Sequence, residues 1–360
     1  MKHWIVRYGL FLGAIGALAI LVAFSGVVPV KASSGHWGVT AWFLRTTMQR
    51  SVALHSLPID PPPLDESRLV LMGAGHFEGG CRFCHGAPGS ALPGVPRFMT
   101  PHPPALSERV GLYDDAELFY IVRHGIKMTG MPAWPAPQRE DEVWGVVAFL
   151  RRLPSLDAAG YERLVYGSLP TALADNAVPG GNGGAPAVVV QQCARCHGLD
   201  GRSRGHGAFP RLAGQHAQYL EASLIAYARG TRHSGIMQPV AVELDAERIR
   251  VTAEWYSSRE PPIWKAPDRR TPGQRIAERG IPERRIPACA GCHGPGHEPH
   301  HPGYPKLFGQ YPEYLAQQLQ LFTEKKRGGA SYAELMSEAV TEHELEPDQI
   351  EAVAKFYAGR

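Results

Sequence analysis

An uncharged, mostly apolar run fills residues 10–30, with Lys2 and Arg7 ahead of it. Wound as a helix, its 21 residues would extend about 31 Å, the thickness of a bilayer's hydrocarbon layer. A secretory leader has a shorter apolar core, roughly 7–15 residues. The small-residue site Val30-Lys31-Ala32 is also a poor one for cleavage. Residues 1–32 therefore read as a retained membrane anchor, with a cleaved signal as the alternative. Either way the remainder is exported. Positive charge on both flanks is too balanced to fix the orientation by itself.

Beyond the run, apolar positions recur at helical spacing and no stretch alternates convincingly as a strand would. An all-α protein is expected. Trp37, Ala41, Leu44, Met48 and Val52 mark one face of a helix over 37–54, with Arg45 and Arg50 on other faces. Such a helix would either lie at the membrane interface or pack on the domain that follows. Four prolines within 58–63 end it and stiffen the approach, so 33–67 form an interfacial helix and linker.

The remaining pattern repeats three times. Amphipathic helices are expected at 141–150, 245–256 and 347–357, ending in Ala-Phe-Leu, Glu-Trp-Tyr and Lys-Phe-Tyr. Each follows a lone methionine and, earlier, a proline-leucine element: Pro104-Ala-Leu106, Pro210-Arg-Leu212 and Pro305-Lys-Leu307. Copies two and three align over Pro210-Arg-Leu-Ala-Gly-Gln and Pro305-Lys-Leu-Phe-Gly-Gln. Copy one instead carries Gly125-Ile-Lys-Met-Thr-Gly-Met-Pro-Ala-Trp134. The units span 68–153, 187–259 and 283–360. The linkers between them are 154–186, which holds Gly180-Gly-Asn-Gly-Gly184, and 260–282, which is rich in Pro and Arg.

Composition changes this picture little. The chain is 44% hydrophobic and 20% charged, and its 40 Gly and 32 Pro suit many loops. A formal charge of +3 gives no argument for a nucleic-acid partner.

The cysteines change it a great deal. All six lie in Cys81-Arg-Phe-Cys84-His85, Cys193-Ala-Arg-Cys196-His197 and Cys289-Ala-Gly-Cys292-His293. This is the attachment pattern of c-type haem. Two thiols add across the vinyl groups of one porphyrin, and the adjacent histidine then lies beneath the iron. A Cys-only zinc site would need two pairs close together, whereas these stand 112 and 96 residues apart. A redox dithiol would not explain three copies each ending in histidine. Three covalently bound haem c groups are expected, which puts the haem domains outside the cytoplasm.

Methionine is the expected sixth ligand, a soft thioether that raises the potential. Met131, Met237 and Met336 follow their histidines by 46, 40 and 43 residues. Met131 is preferred to Met128 because Pro132 stiffens the chain beside it. Met336 is also compatible with an ordinary helix over 334–338. His297, His300 and His301 form a Gly/Pro-rich loop, read as solvated rather than metal-binding. His124, His206, His216 and His233 read as surface or supporting groups. The prolines at 104, 210 and 305 could present a carbonyl to each proximal imidazole and fix its orientation.

At these motifs the chain resembles class I cytochrome c, three domains in a row. Copies two and three are similar to the tandem-domain dihaem cytochromes of the bacterial periplasm, through Pro-x-Leu-x-Gly-Gln and Met237-Gln-Pro239. Copy one is similar to monohaem domains of cbb-type oxidase subunits and of membrane dehydrogenase cytochrome subunits, through Gly-Met131-Pro-Ala-Trp134. The resemblance implies an electron carrier rather than an enzyme, passing electrons toward a terminal oxidase. The alternative is the cytochrome subunit of a membrane dehydrogenase. A haem peroxidase would need an open iron position, which a methionine in every copy argues against.

Overall fold

The computed structural model describes residues 2–167, 184–204, 207–265, 271–294, 301–341 and 345–359. Among them the regular elements are all helices, and extended pairing is limited to three isolated antiparallel bridges.

Helix α1 (Lys2–Ser25) is exposed along its length, and residues His3–Ser25 have a mean hydropathy of 2.1. Its 24 residues extend about 36 Å, enough to cross a bilayer. A secretory signal meets the same test. Helix α2 (Gly38–Ser56) divides into two parts. Its C-terminal half buries Val52 and Ser56, and His55 stacks on Tyr120 at 5.8 Å. Its N-terminal half leaves Trp42 and Phe43 exposed, beside exposed Trp37. Below the apolar helix, Thr100 Oγ1 donates to the Ala32 carbonyl at 2.5 Å, tying the first unit to the chain that leaves α1.

The first unit contains α3 (Ser67–His76), α4 (Asp115–His124), α5 (Glu140–Arg152) and α6 (Ala158–Tyr166). Helix α4 starts at a capping box in which Asp114 and Glu117 satisfy each other's amides. Helices α3 and α5 cross with their backbones almost touching. A Cβ on Gly73 would lie 2.0 Å from the Gly145 carbonyl oxygen. The apolar stripe of α5 buries Val143, Val146, Val147 and Phe149 against Phe77. Each such side chain contributes roughly 1.5–3 kcal/mol by leaving water.

Helix α6 corrects the first expected linker. Residues 158–166 belong to the first unit, with Tyr161 and Val165 buried in its core. The Tyr161 and Tyr166 hydroxyls both donate to Glu78 at 2.6 Å, and Arg82 pairs with the same carboxylate. Glu78 sits three residues before Cys81, so α6 is bolted to the first cysteine motif. The glycine run of that linker lies largely outside the described residues.

The second unit contains α7 (Ala217–Ala228), α8 (Met237–Val242) and α9 (Ala246–Ser257). The third contains α10 (Pro272–Arg279), α11 (Pro312–Thr323), α12 (Ala333–Thr341) and α13 (Pro347–Ala358). Helix α10 lies inside the second expected linker, 260–282, and corrects it. It packs across α13 as α3 packs across α5, and a Cβ on Gly273 would lie 1.9 Å from the Ala352 carbonyl oxygen. Only Gly273, Ile276 and Ala277 of α10 are buried, a stripe too short to stand out from the surrounding arginines.

Units two and three meet about a local pseudo-twofold. Gln310 takes the Arg211 amide and returns a bond to its carbonyl, at 2.9 and 3.0 Å. Gln215 does the same with Lys306 at 2.8 and 3.1 Å. An antiparallel bridge joins Arg232 to Gly328. The first unit packs on the second through α3, where a Cβ on Gly75 would lie 3.1 Å from Cys196 Sγ.

Candidate haem-attachment sites

Each Cys-x-x-Cys-His segment is a single helical turn: Arg82–His85, Ala194–His197 and Ala290–His293. A glycine at positive φ ends each turn, Gly86, Gly198 and Gly294 at 71°, 75° and 78°. That backbone conformation favours glycine and lets the chain turn directly after the histidine. None of the six sulfurs is in a disulfide. Burial pushes the Cys81 and Cys193 thiols up to about 12 and Cys289 up to about 11.

The histidines share one arrangement. Nδ1 of His85, His197 and His293 bonds to the carbonyl of Pro104, Pro210 and Pro305 at 2.9, 3.0 and 3.0 Å. A carbonyl can only accept, so Nδ1 carries the proton and Nε2 keeps its lone pair. Burial lowers the pKa of all three rings against the pull of the proline carbonyls. The neutral, oriented imidazole that results is the form that binds a metal.

A cavity of about 740 Å³ runs between units two and three. His197, Cys196 and Met237 line one part of it, and His293, Cys292 and Met336 another. Two buried arginines, Arg232 and Arg327, also line it. Neither is paired with a carboxylate among the described residues. Arg232 bonds to Ser223, Tyr219 and Tyr314, and its Nε has no acceptor. Arg327 bonds to Gln318 and to the Gly328 carbonyl. Burial and the neighbouring Arg232 both push the Arg327 pKa down. Burial pushes the Tyr219 hydroxyl up, but Arg232 and Arg327 outweigh it and bring it down to about 8. Two buried cations without counter-anions are costly unless a ligand supplies the charge. A flat apolar group with two carboxylates at one edge fits this cavity, and haem has that form.

In the first unit Met131 is half-buried. Its amide donates to Thr129 Oγ1 at 3.1 Å and its carbonyl accepts from Ile126. Met128 is 89% exposed and points no sulfur at a buried site. Met237 opens α8, and Met336 lies within α12 at the edge of a core formed by Ile286, Val340, Leu345 and Ile350.

The family model described as cytochrome c oxidase, cbb3-type, subunit III matches residues 69–150, and that of cytochrome c matches 184–248 and 271–358. Cytochrome c-552 of Acidithiobacillus ferridurans is 36% identical over 41% of this chain and 67% of its own length. The thiosulfate dehydrogenase electron acceptor of Stutzerimonas stutzeri is 35% identical over 49% of this chain and 82% of its own.

The chain belongs to the cytochrome c family.

Cytochrome c4 of Pseudomonas aeruginosa is 30% identical over 52% of this chain and 92% of its own length. As a cytochrome c the chain is an electron carrier with covalently bound haem c. The third match begins at 271, which agrees with the place of α10.

Several residues that shape this cytochrome c escaped the sequence reading. Arg232 and Arg327 each stand four residues beyond the long helix of their unit, a parallel the aligned copies carried unnoticed. Of the two expectations for His233, surface or supporting, the second holds: its Nδ1 bonds to the Lys326 carbonyl at 2.7 Å across the unit boundary. His76 lines the cavity from the first unit and packs on Trp134 at 4.7 Å between ring centres; burial and Arg195 lower its pKa to about 4. His206, His297 and His300 lie outside the described residues. His301 is described; its Nδ1 accepts the Gly303 amide at 2.9 Å, and its ring packs on Tyr304 and Tyr332. Among the described residues no cluster of three His, Cys, Asp or Glu side chains could hold a separate metal ion.

Proposed function

We propose that this chain is a membrane-anchored, periplasm-facing cytochrome c with three haems, relaying electrons between a membrane partner and a periplasmic one. The observation that carries the reading is the threefold recurrence of one arrangement: two cysteines outside any disulfide and a histidine whose Nδ1 is committed to a proline carbonyl. Cys81, Cys84 and His85 would hold the first haem, Cys193, Cys196 and His197 the second, and Cys289, Cys292 and His293 the third. Met131, Met237 and Met336 would complete their coordination, and Arg232 and Arg327 would meet propionates. Bound haem supplies the one-electron couple. The protein orients the imidazoles, keeps water out and sets the local charge. Helix α1 would be the anchor, with exposed Trp37, Trp42 and Phe43 at headgroup level. The haem units would divide at 68–167, 187–259 and 271–360.

Delivery to a terminal oxidase is the reading we favour, supported by the likeness of residues 69–150 to an oxidase subunit. Acceptance from a dehydrogenase is the second reading, supported by the name of the Stutzerimonas relative.

Protein matured in a host competent for c-type cytochromes should carry three haems through acid denaturation. Intact mass and haem staining measure this, and fewer than three would overturn the stoichiometry. The full chain should also stay with membranes after a high-salt wash. A mature N-terminus at Ser33 would show that α1 is removed and would end the anchor proposal.

A further inference from the structure

The short segment 139–142, which leads into α5 of the first unit, sits where all three units meet. Arg139 and Glu142 are 6% and 3% exposed. They pair at 3.0 Å, and Arg139 also grips Asp141 through two bonds of 2.8 Å. Burial pushes the Glu142 carboxyl up, opposed by Arg139 and by two hydrogen bonds that come from the second unit. Ser234 Oγ donates to Glu142 Oε1, and the Gly235 amide donates to Oε2, both at 2.6 Å. Arg139 Nη1 donates to the His233 carbonyl at 2.8 Å. Asp141 takes a bond from Gln317 of the third unit at 2.6 Å.

The serine passes this grip onward. Its Oγ, oriented by donating to Glu142, accepts the amides of Ile236 and Met237 at 3.3 and 3.0 Å. A chain of polar contacts thus runs from a carboxylate of unit one to the backbone of Met237 in unit two. Gly235 belongs to the same fit: a Cβ there would stand 2.2 Å from the Trp134 indole of the first unit. Among the described residues nothing comparable reaches Met336, whose amide bonds within its own unit to the Tyr332 carbonyl.

We infer that Glu142 and Arg139 of the first unit are positioning residues for Met237 of the second, so that the first unit governs how firmly the second haem keeps its distal ligand. The inference rests on reading Met237 as that ligand. A buried carboxylate with two donors and a guanidinium is rigid, because releasing any partner strands a polar group without water. The rigidity passes to the Met237 backbone through one serine. The second site is then tuned by a neighbouring unit.

The test uses oxidised full-length holoprotein in detergent and added imidazole, which competes with methionine for ferric haem. Two signals are followed: the near-infrared methionine-to-ferric band and the imidazole affinity of each haem. Met237→Ala first identifies the second haem, as the one whose band disappears. Glu142→Ala should raise the imidazole affinity of that haem by about tenfold, equivalent to about 1.4 kcal/mol. The other two should keep theirs. Glu142→Gln keeps the side-chain volume and one acceptor oxygen, so the first unit folds, and the rise should be smaller but on the same haem. Glu140→Gln removes a partly exposed charge paired with Arg123, outside the Glu142–Ser234–Met237 chain, and should change nothing. If Met237→Ala removes its band while both Glu142 variants bind imidazole like the wild type, the inference is wrong and the ligand reading stands. If Met237→Ala leaves every band intact, the ligand reading falls and takes the inference with it.

Discussion

Alanine at Met237 is expected to remove about one third of the methionine-to-ferric intensity while leaving that haem covalently attached, since attachment depends on the thiols and ligation on the thioether. Met237 opens α8 on the wall of the cavity that His197 also lines. Its amide is held by Ser234, so the backbone that carries the sulfur is fixed before any ligand binds. A thioether favours the ferrous state, and its loss should lower the potential of that haem by a measurable part of the roughly 0.8 V that axial ligands control across haem proteins. Met336→Ala should do the same at the third haem. Its backbone lies mid-helix in α12, which allows an adjacent side chain to take over more readily. Potentiometry with near-infrared detection separates the cases. An unchanged spectrum for Met336→Ala would mean that the third haem uses a different ligand. A high-spin haem in the unmodified protein that turns over peroxide would instead return the enzyme reading for that domain.

Substitution of Gly73 should be the most damaging small change in the first unit. In an exposed helix, Gly→Ala gains roughly 0.5–1 kcal/mol because alanine loses less entropy on folding. Here the sign reverses. The new Cβ would meet the Gly145 carbonyl oxygen at 2.0 Å and Phe149 Cβ at 2.7 Å, and the first of these is backbone that cannot rotate away. Helices α3 and α5 would have to separate, and overpacking of this kind costs about 1–3 kcal/mol or more. Gly73→Val should cost more than Gly73→Ala. Gly111, whose Cβ would meet nothing within 4 Å, supplies the control, and Gly111→Ala should be neutral. Thermal unfolding followed by Soret circular dichroism, compared with the Gly111→Ala control, reads the loss. A Gly73→Ala protein as stable as the wild type would show that the crossing can relax.

The case for the attachment chemistry is made by the sequence alone. Two cysteines and a histidine at fixed spacing are a local requirement, met within one helical turn, so adjacency in the chain is adjacency in space. Helix type was legible for a related reason. The closing helices expected at 141–150, 245–256 and 347–357 form as Glu140–Arg152, Ala246–Ser257 and Pro347–Ala358, because each has a long apolar stripe of helical period. The proline carbonyls were also foreseen, since Pro104, Pro210 and Pro305 recur in step with the motifs.

What escaped was whatever depends on a partner far along the chain. Helix α10 has too few apolar residues to announce itself, and it takes its place only because Gly273 lets it lie against α13. Helix α6 follows a proline-bounded break and is recruited by Glu78, some 80 residues earlier. Nothing local in the sequence marks Arg232 and Arg327, which are buried where the two units close over them. Nothing local in the sequence marks Glu142 either, and only the packing of unit one on unit two makes it a buried acceptor for Ser234 and Gly235. A residue's spacing to its chain neighbours is written in the sequence. Its burial and its counter-charge are set by surfaces that exist only after the three units have folded and met.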